Sequence, residues 1–170
     1  VVSTGQLILV GAPAAGKTAV GGLVAERVGV PFTDTDALVE QRLGLSLPEA
    51  AASLSADDLG AVEAEVCRLA LAAPGIVALG SGAVTDPGLR TLLKPRTVLW
   101  LRVSATQLTR RLGMASLGME TLTMLRQQVD ALLRTREPWY EEVATLRLDT
   151  DRLDLAATAD RVEQAWEGAR

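Results

Sequence analysis

A lysine and a threonine close a run of small residues, Gly11-Ala12-Pro13-Ala14-Ala15-Gly16-Lys17-Thr18. The spacing is G-x-x-x-x-G-K-S/T, and its chemistry is phosphate binding. Small side chains let successive backbone N–H groups wrap phosphate oxygens. The N-terminus of a following helix adds a dipole worth ~0.3–1 kcal/mol per charge when exposed. Lys17 is expected to reach the β- and γ-phosphates of ATP, and Thr18 to ligate Mg²⁺. The expected nucleotide-contacting set is Ala12, Pro13, Ala14, Ala15, Gly16, Lys17, Thr18 and Ala19. A bare glycine turn with no ligand would leave the spacing, the flanking elements and the rare lysine unexplained.

Asp34-Thr35-Asp36 is the second group able to do chemistry. On an extended segment, carboxylates at i and i+2 point to one face. One then holds a Mg²⁺-bound water, and the other accepts a proton or hydrogen bond from a hydroxyl. The competing reading is a helix N-cap, a position that Asp and Thr both favour.

These residues need elements to hold them. Leu7–Val10 reads as a buried strand before the loop, and Lys17–Val28 as a helix closed by Gly29. Val30-Pro31-Phe32 leads a second strand into Asp34-Thr35-Asp36, and helical pieces follow to Leu43. Ser46 and Glu49 have capping-box spacing. A longer helix spans about Asp57 to Ala72, and Ile76–Leu79 is a third strand ending in Gly80-Ser81-Gly82. Asp86-Pro87 opens a short helix. Thr97–Val103 is a fourth strand, and Ser104 caps the next helix. Gly113–Glu120 reads as a loop, Leu122–Arg136 as a helix, Ala144–Leu148 as a fifth strand and Leu155–Glu167 as a last helix. Strands alternating with helices imply an α/β domain with a five-stranded parallel sheet, helices on both faces, and ligands beyond the carboxyl ends of the strands.

Composition narrows the function. The 170 residues suit one domain. Net charge is −4 with no basic run, which argues against a nucleic-acid face or a polybasic membrane patch. No apolar run is long enough to span a bilayer. Val1 to Gln6 lack signal-peptide features, so a cytoplasmic location is expected. There is no His, so neither a His-based triad nor a His-ligated zinc can exist. There is no Asn, which removes the base-reading NKxD element of a GTPase. The single cysteine, Cys67, reads as a core thiol in a helical pattern. Fifteen positive charges are Arg and only Lys17 and Lys94 are Lys, so a lysine inside the loop pattern is informative. Trp100, Trp139 and Trp166 are scattered and read as packing.

Together, LVGAPAAGKTAVGGLVAERVGVPFTDTD, VALGSGAVTDPGLR and REPWYEEVATLRLDTDR resemble the shikimate kinases over nearly the whole chain. The order of phosphate loop, Asp-Thr-Asp, glycine turn and R-x-P-x-Y is specific to that family among P-loop kinases. The resemblance implies a fold like the nucleoside monophosphate kinases, with strand order 2-3-1-4-5. It further implies a substrate-binding helical region at about 35–65, a lid at about 113–121 and a monomer. The implied reaction moves the γ-phosphoryl of ATP to a hydroxyl of shikimate or a related polyol acid. Asp34 would lie near Mg²⁺ through water. Asp36 would orient the acceptor hydroxyl. Gly80, Ser81 and Gly82 would present backbone N–H groups to the substrate. Arg136 would pair with its carboxylate, the alternative being a surface ion pair with Glu137 or Asp130. Arg110 and Arg152 would stack on adenine.

Three departures from the family pattern stand out. Where the family has F-R-x-x-E, with an Arg that grips the substrate carboxylate, this chain has Leu59-Gly60-Ala61-Val62-Glu63. The family's lid Arg has no counterpart, since no Arg or Lys lies between Arg111 and Arg126. The glycine triplet has Ser81 at its centre. These departures leave two other readings open: a kinase for a different hydroxyl acceptor, and a nucleotide-binding protein without transfer. Leu112, Met114, Leu117 and Met119 would form an apolar lid face or a disordered segment.

Overall fold

Alternation along the first strand, β1 (Gln6–Val10), puts Leu7 and Leu9 on one face and Ile8 and Val10 on the other, and all four are buried. Burial on both faces is what a central parallel strand requires. The computed structural model describes residues 5–113 and 117–170. In chain order the elements are β1, α1 (Lys17–Val28), β2 (Phe32–Asp34), α2 (Thr35–Leu43), α3 (Leu47–Ser53), α4 (Ala56–Ala70), β3 (Gly75–Ala78), a 3₁₀ turn (Ala83–Thr85), α5 (Pro87–Leu93), β4 (Val98–Arg102), α6 (Ala105–Arg111), α7 (Met119–Val143), β5 (Leu146–Asp149) and α8 (Leu155–Gly168). The strands pair in parallel in the order β2-β3-β1-β4-β5, as expected.

Each sheet face carries its own core. On one side Leu7, Leu9, Leu99 and Leu101 pack with Val20 and Val24 of α1 and Val162 and Trp166 of α8. On the other, Ile8, Val10, Val77 and Trp100 pack with Cys67 of α4, Leu89 and Leu93 of α5, and Tyr140 and Val143 of α7. Cys67 is a core thiol, and burial pushes its pKa up to about 11. Helix α1 lies close on β2 at one glycine: a β-carbon on Gly21 would come 2.5 Å from the Phe32 ring. The Ser46–Glu49 capping box forms in both directions.

Two expectations change. The second strand ends at Asp34, and Asp36 stands in the first turn of α2 rather than on extended chain. The cause is local: Asp34 Oδ1 accepts the N–H groups of Asp36 and Ala37 and so starts the helix. The seventh helix begins at Met119 and continues through Pro138 to Val143, well past Arg136. Pro138 removes one helical hydrogen bond, but Tyr140 and Val143 beyond it are almost wholly buried. Core packing of that last turn outweighs the lost bond. Of the expected lid, residues 114–116, including Met114, lie outside the described residues, while Leu112, Leu117 and Met119 are exposed. Among the described residues no helix is long and apolar enough to cross a membrane.

Candidate active site

The phosphate loop joins β1 to α1 and is held by its glycines. Gly11 has φ 151°, and a β-carbon there would sit 2.5 Å from the Leu101 carbonyl oxygen of β4. Gly16, with φ 94°, occupies the N-cap of α1 and has no side chain to cap it. The first-turn N–H groups of α1 therefore point forward without a side-chain acceptor, the arrangement that binds phosphate. Lys17 folds back over the loop. Its Nζ donates to the carbonyls of Gly11 and Ala12, each at 2.9 Å. Burial lowers its pKa to about 8, against the opposing pull of Asp36 and Asp34.

Thr18 and Asp34 meet across the helix N-terminus, the Thr18 hydroxyl donating to Asp34 Oδ2 at 2.5 Å. Asp34 thus caps α2 with one oxygen and receives Thr18 with the other. Capping does not prevent this residue from facing the phosphate-loop helix. Asp36, half-buried, has its carboxyl pKa raised by burial and then by Asp34, with Lys17 acting in the opposite sense. Pro13, Lys17, Thr18, Asp34, Asp36 and Ser81 share one cleft of about 440 Å³.

The glycine turn after β3 packs against this cleft. Gly80 abuts Asp36 so closely that a β-carbon would overlap Oδ1. Its N–H is taken by Thr35 Oγ1 at 2.8 Å, so of the turn N–H groups expected to face the substrate this one is already occupied. Helix α7 grips the turn from the other side. Arg136 Nη1 donates to Ser81 Oγ at 3.1 Å, and the buried Tyr140 hydroxyl donates to the Ser81 carbonyl at 2.8 Å. Glu137 pairs with Arg102, and among the described residues Arg136 forms no ion pair with Glu137 or Asp130. A second cleft, of about 530 Å³, opens beside Gly82 and is lined by Gly60, Glu63 and Arg68 of α4. A β-carbon at Gly60 would meet nothing within 4 Å. Glu63 has no ion-pair partner among the described residues. Its carboxyl pKa is raised by burial and by Asp36, while Arg136 acts to lower it.

The family model for shikimate kinase matches residues 13–167. The chain belongs to the shikimate kinase family. It is 40% identical over 153 residues to a shikimate kinase of Mycobacterium avium, covering 86% of this chain and 85% of that protein. It is 37% identical over 163 residues to one of Mycobacterium tuberculosis, covering 92% and 90%. Its fold superposes on the shikimate kinase of Acinetobacter baumannii in complex with shikimate with a TM-score of 0.83, at 28% identity, covering 95% of this chain and 92% of that one.

In this member of the family the structure brings Lys17, Thr18, Asp34, Asp36 and Ser81 around one cleft and sets Arg136 on the Ser81 hydroxyl. Arg110 is exposed beside a separate small cleft with Thr106, Leu122 and Arg126. Arg152 is exposed in the turn after β5. The arginine that reaches the phosphate loop is Arg111, absent from the sequence expectation. It donates to the Ala15 carbonyl at 3.2 Å and to the Thr150 carbonyl and hydroxyl at 3.0 and 3.2 Å. A signal existed: Arg111 lies three residues after Leu108, the buried apolar residue of α6, whereas Arg110 does not share that face.

Proposed function

We propose that the protein is a shikimate kinase, moving the γ-phosphoryl group of ATP onto a hydroxyl of shikimate. The observation that carries this reading is that the phosphate loop and the Asp36 carboxylate open on one cleft. The residues also fit the cofactor. Thr18 and Asp34 supply a hydroxyl and a carboxylate, both hard oxygen donors, 2.5 Å apart. Among the described residues no cluster of three or more His, Cys, Asp or Glu could hold a metal. That suits Mg²⁺, which binds through one or two protein groups plus water and substrate phosphate. When bound, Mg²⁺ neutralises charge on the phosphate oxygens during transfer.

The chain's own residues do the rest. The α1 N-terminus and Lys17 hold the phosphates, Lys17 leaving the carbonyls of Gly11 and Ala12 to do so. Negative phosphate beside Lys17 restores the full charge that burial has weakened. Asp36 accepts a hydrogen bond from the acceptor hydroxyl and aligns it for attack. Arg136 meets the acceptor carboxylate. Arg110 and Arg152 close over adenine, and Arg111 braces the loop behind it. Helices α2 to α4, roughly residues 35–65, form the acceptor-binding region, and the segment at about 113–121 the lid.

The test is ADP release with ATP, Mg²⁺ and shikimate, beside a control without acceptor. Shikimate-dependent release is expected. ATP binding with no acceptor-dependent release would overturn the assignment.

A further inference from the structure

Arg136 and Tyr140 stand one helical turn apart on α7 and both hold Ser81, one by its hydroxyl and one by its carbonyl. A serine hydroxyl has one donor and two acceptor sites. Ser81 Oγ accepts from the guanidinium, and among the described residues its own proton has no acceptor. Arg136, half-buried, also bonds the Tyr140 hydroxyl, but a guanidinium has five N–H donors and this one forms no ion pair among the described residues. Two sets of unspent donors are thus fixed to one turn. That turn borders both clefts, Ser81 on the side of Lys17 and Asp36, Gly82 on the side of Gly60 and Glu63.

The charge balance limits what these donors accept. Three carboxyl groups, Asp34, Asp36 and Glu63, already surround two cations, Lys17 and Arg136. The arginine that lines the second cleft, Arg68, lies 3.6 Å from Asp86. A group with one negative charge and a flat pair of oxygens matches the planar guanidinium fork plus one hydroxyl. A dianion would meet more repulsion from the same carboxyl groups.

We propose that Ser81 is a specificity-determining residue of the acceptor site: its Oγ fixes Arg136, and its hydroxyl proton is donated to the single carboxylate of a hydroxy acid. The serine thereby offsets the absence of a cationic side chain at Gly60. The inference rests on the reading of the protein as a shikimate kinase.

The experiment compares the wild type with Ser81→Ala and Ser81→Thr, using shikimate and its neutral methyl ester as acceptors. Losing a hydrogen bond to a charged group raises the KM for shikimate roughly tenfold or more in Ser81→Ala. The KM for ATP stays, the ester shows no such loss, and Ser81→Thr recovers most of the affinity. A shikimate KM unchanged in Ser81→Ala, or an equal loss on the ester, overturns the proposal. If the wild type shows no shikimate-dependent turnover, the functional reading fails first, and shikimate binding is then measured by calorimetry. Binding that weakens in Ser81→Ala sustains the role of the serine. No wild-type binding at millimolar shikimate, or equal binding in both proteins, removes it.

Discussion

The Asp36 carboxylate fills the space where Gly80 would carry a side chain. The Asp36 carboxylate is therefore positioned by an absence. Its neighbour on the turn is fixed separately, because Thr35 takes the Gly80 N–H. A methyl group at position 80 meets only the end of a short side chain, which can rotate away.

Gly80→Ala is accordingly expected to cost little stability, within about 1–3 kcal/mol. It should lower kcat/KM for shikimate by about a hundredfold, since displacement of a reacting group by ~1 Å costs that much. Steady-state kinetics beside a thermal melt check this. A well-folded variant with wild-type kcat/KM would falsify the role given to Asp36.

Lys17 gives a pH dependence with a defined sign. Its folded pKa of about 8 lies below the ordinary 10.5, so between those values the unfolded chain binds more protons. Stability of the nucleotide-free protein should rise as pH climbs from about 8 toward 10.5, and Lys17→Met should flatten that limb. ATP should behave oppositely. Its phosphates recharge Lys17, so binding above pH 8 takes up a proton and weakens by up to about tenfold per pH unit. Calorimetry at pH 9 in buffers of different ionisation enthalpy measures the uptake, and none at all would contradict the contact with phosphate.

Gly60→Arg separates two effects. Open space at this helical glycine lets any side chain enter, and Arg is the better helix former by up to about 1 kcal/mol, so the melting temperature should rise. If the new guanidinium reaches the acceptor beside Glu63, the KM for shikimate should fall roughly tenfold or more. A stability gain with no change in KM would show that the cleft at Gly60 lies away from the carboxylate.

Arg111→Ala should raise the KM for ATP about tenfold and lower stability by roughly 1–3 kcal/mol, because it frees the carbonyls of Ala15 and Thr150. The KM for shikimate should not move. Lost stability with an unchanged nucleotide KM would make Arg111 a brace of the fold alone.

The strands and the phosphate loop were readable in advance because both depend on local pattern: short apolar runs between helical stretches, a fixed glycine spacing, a lysine where arginine is the rule; the strand order came with the family resemblance. What stayed hidden depends on geometry between distant segments. Asp34-Thr35-Asp36 fits both strand and cap, and only the direction of the Asp34 oxygens decides where the helix starts. Arg110 and Arg111 are neighbours in sequence, yet about 100° apart around α6, so helix phase decides which of them reaches Ala15. The bond between Thr35 and Gly80 spans 45 residues and has no signature in either segment. The helix expected to stop at Arg136 runs on through Pro138: a proline's backbone penalty is visible in sequence, while the burial of Tyr140 and Val143 is not.

The close fit of Gly21 on Phe32 has a consequence for how this enzyme can drift. Gly21 belongs to the helix that begins with Lys17 and Thr18, and Phe32 to the strand that ends in Asp34. A larger residue at 21 would wedge the two apart and part the Thr18 hydroxyl from its carboxylate. A smaller residue at 32 would leave a void. The two positions should therefore exchange volume only in concert, and in a deep mutational scan each should tolerate substitution only when the other has changed to match.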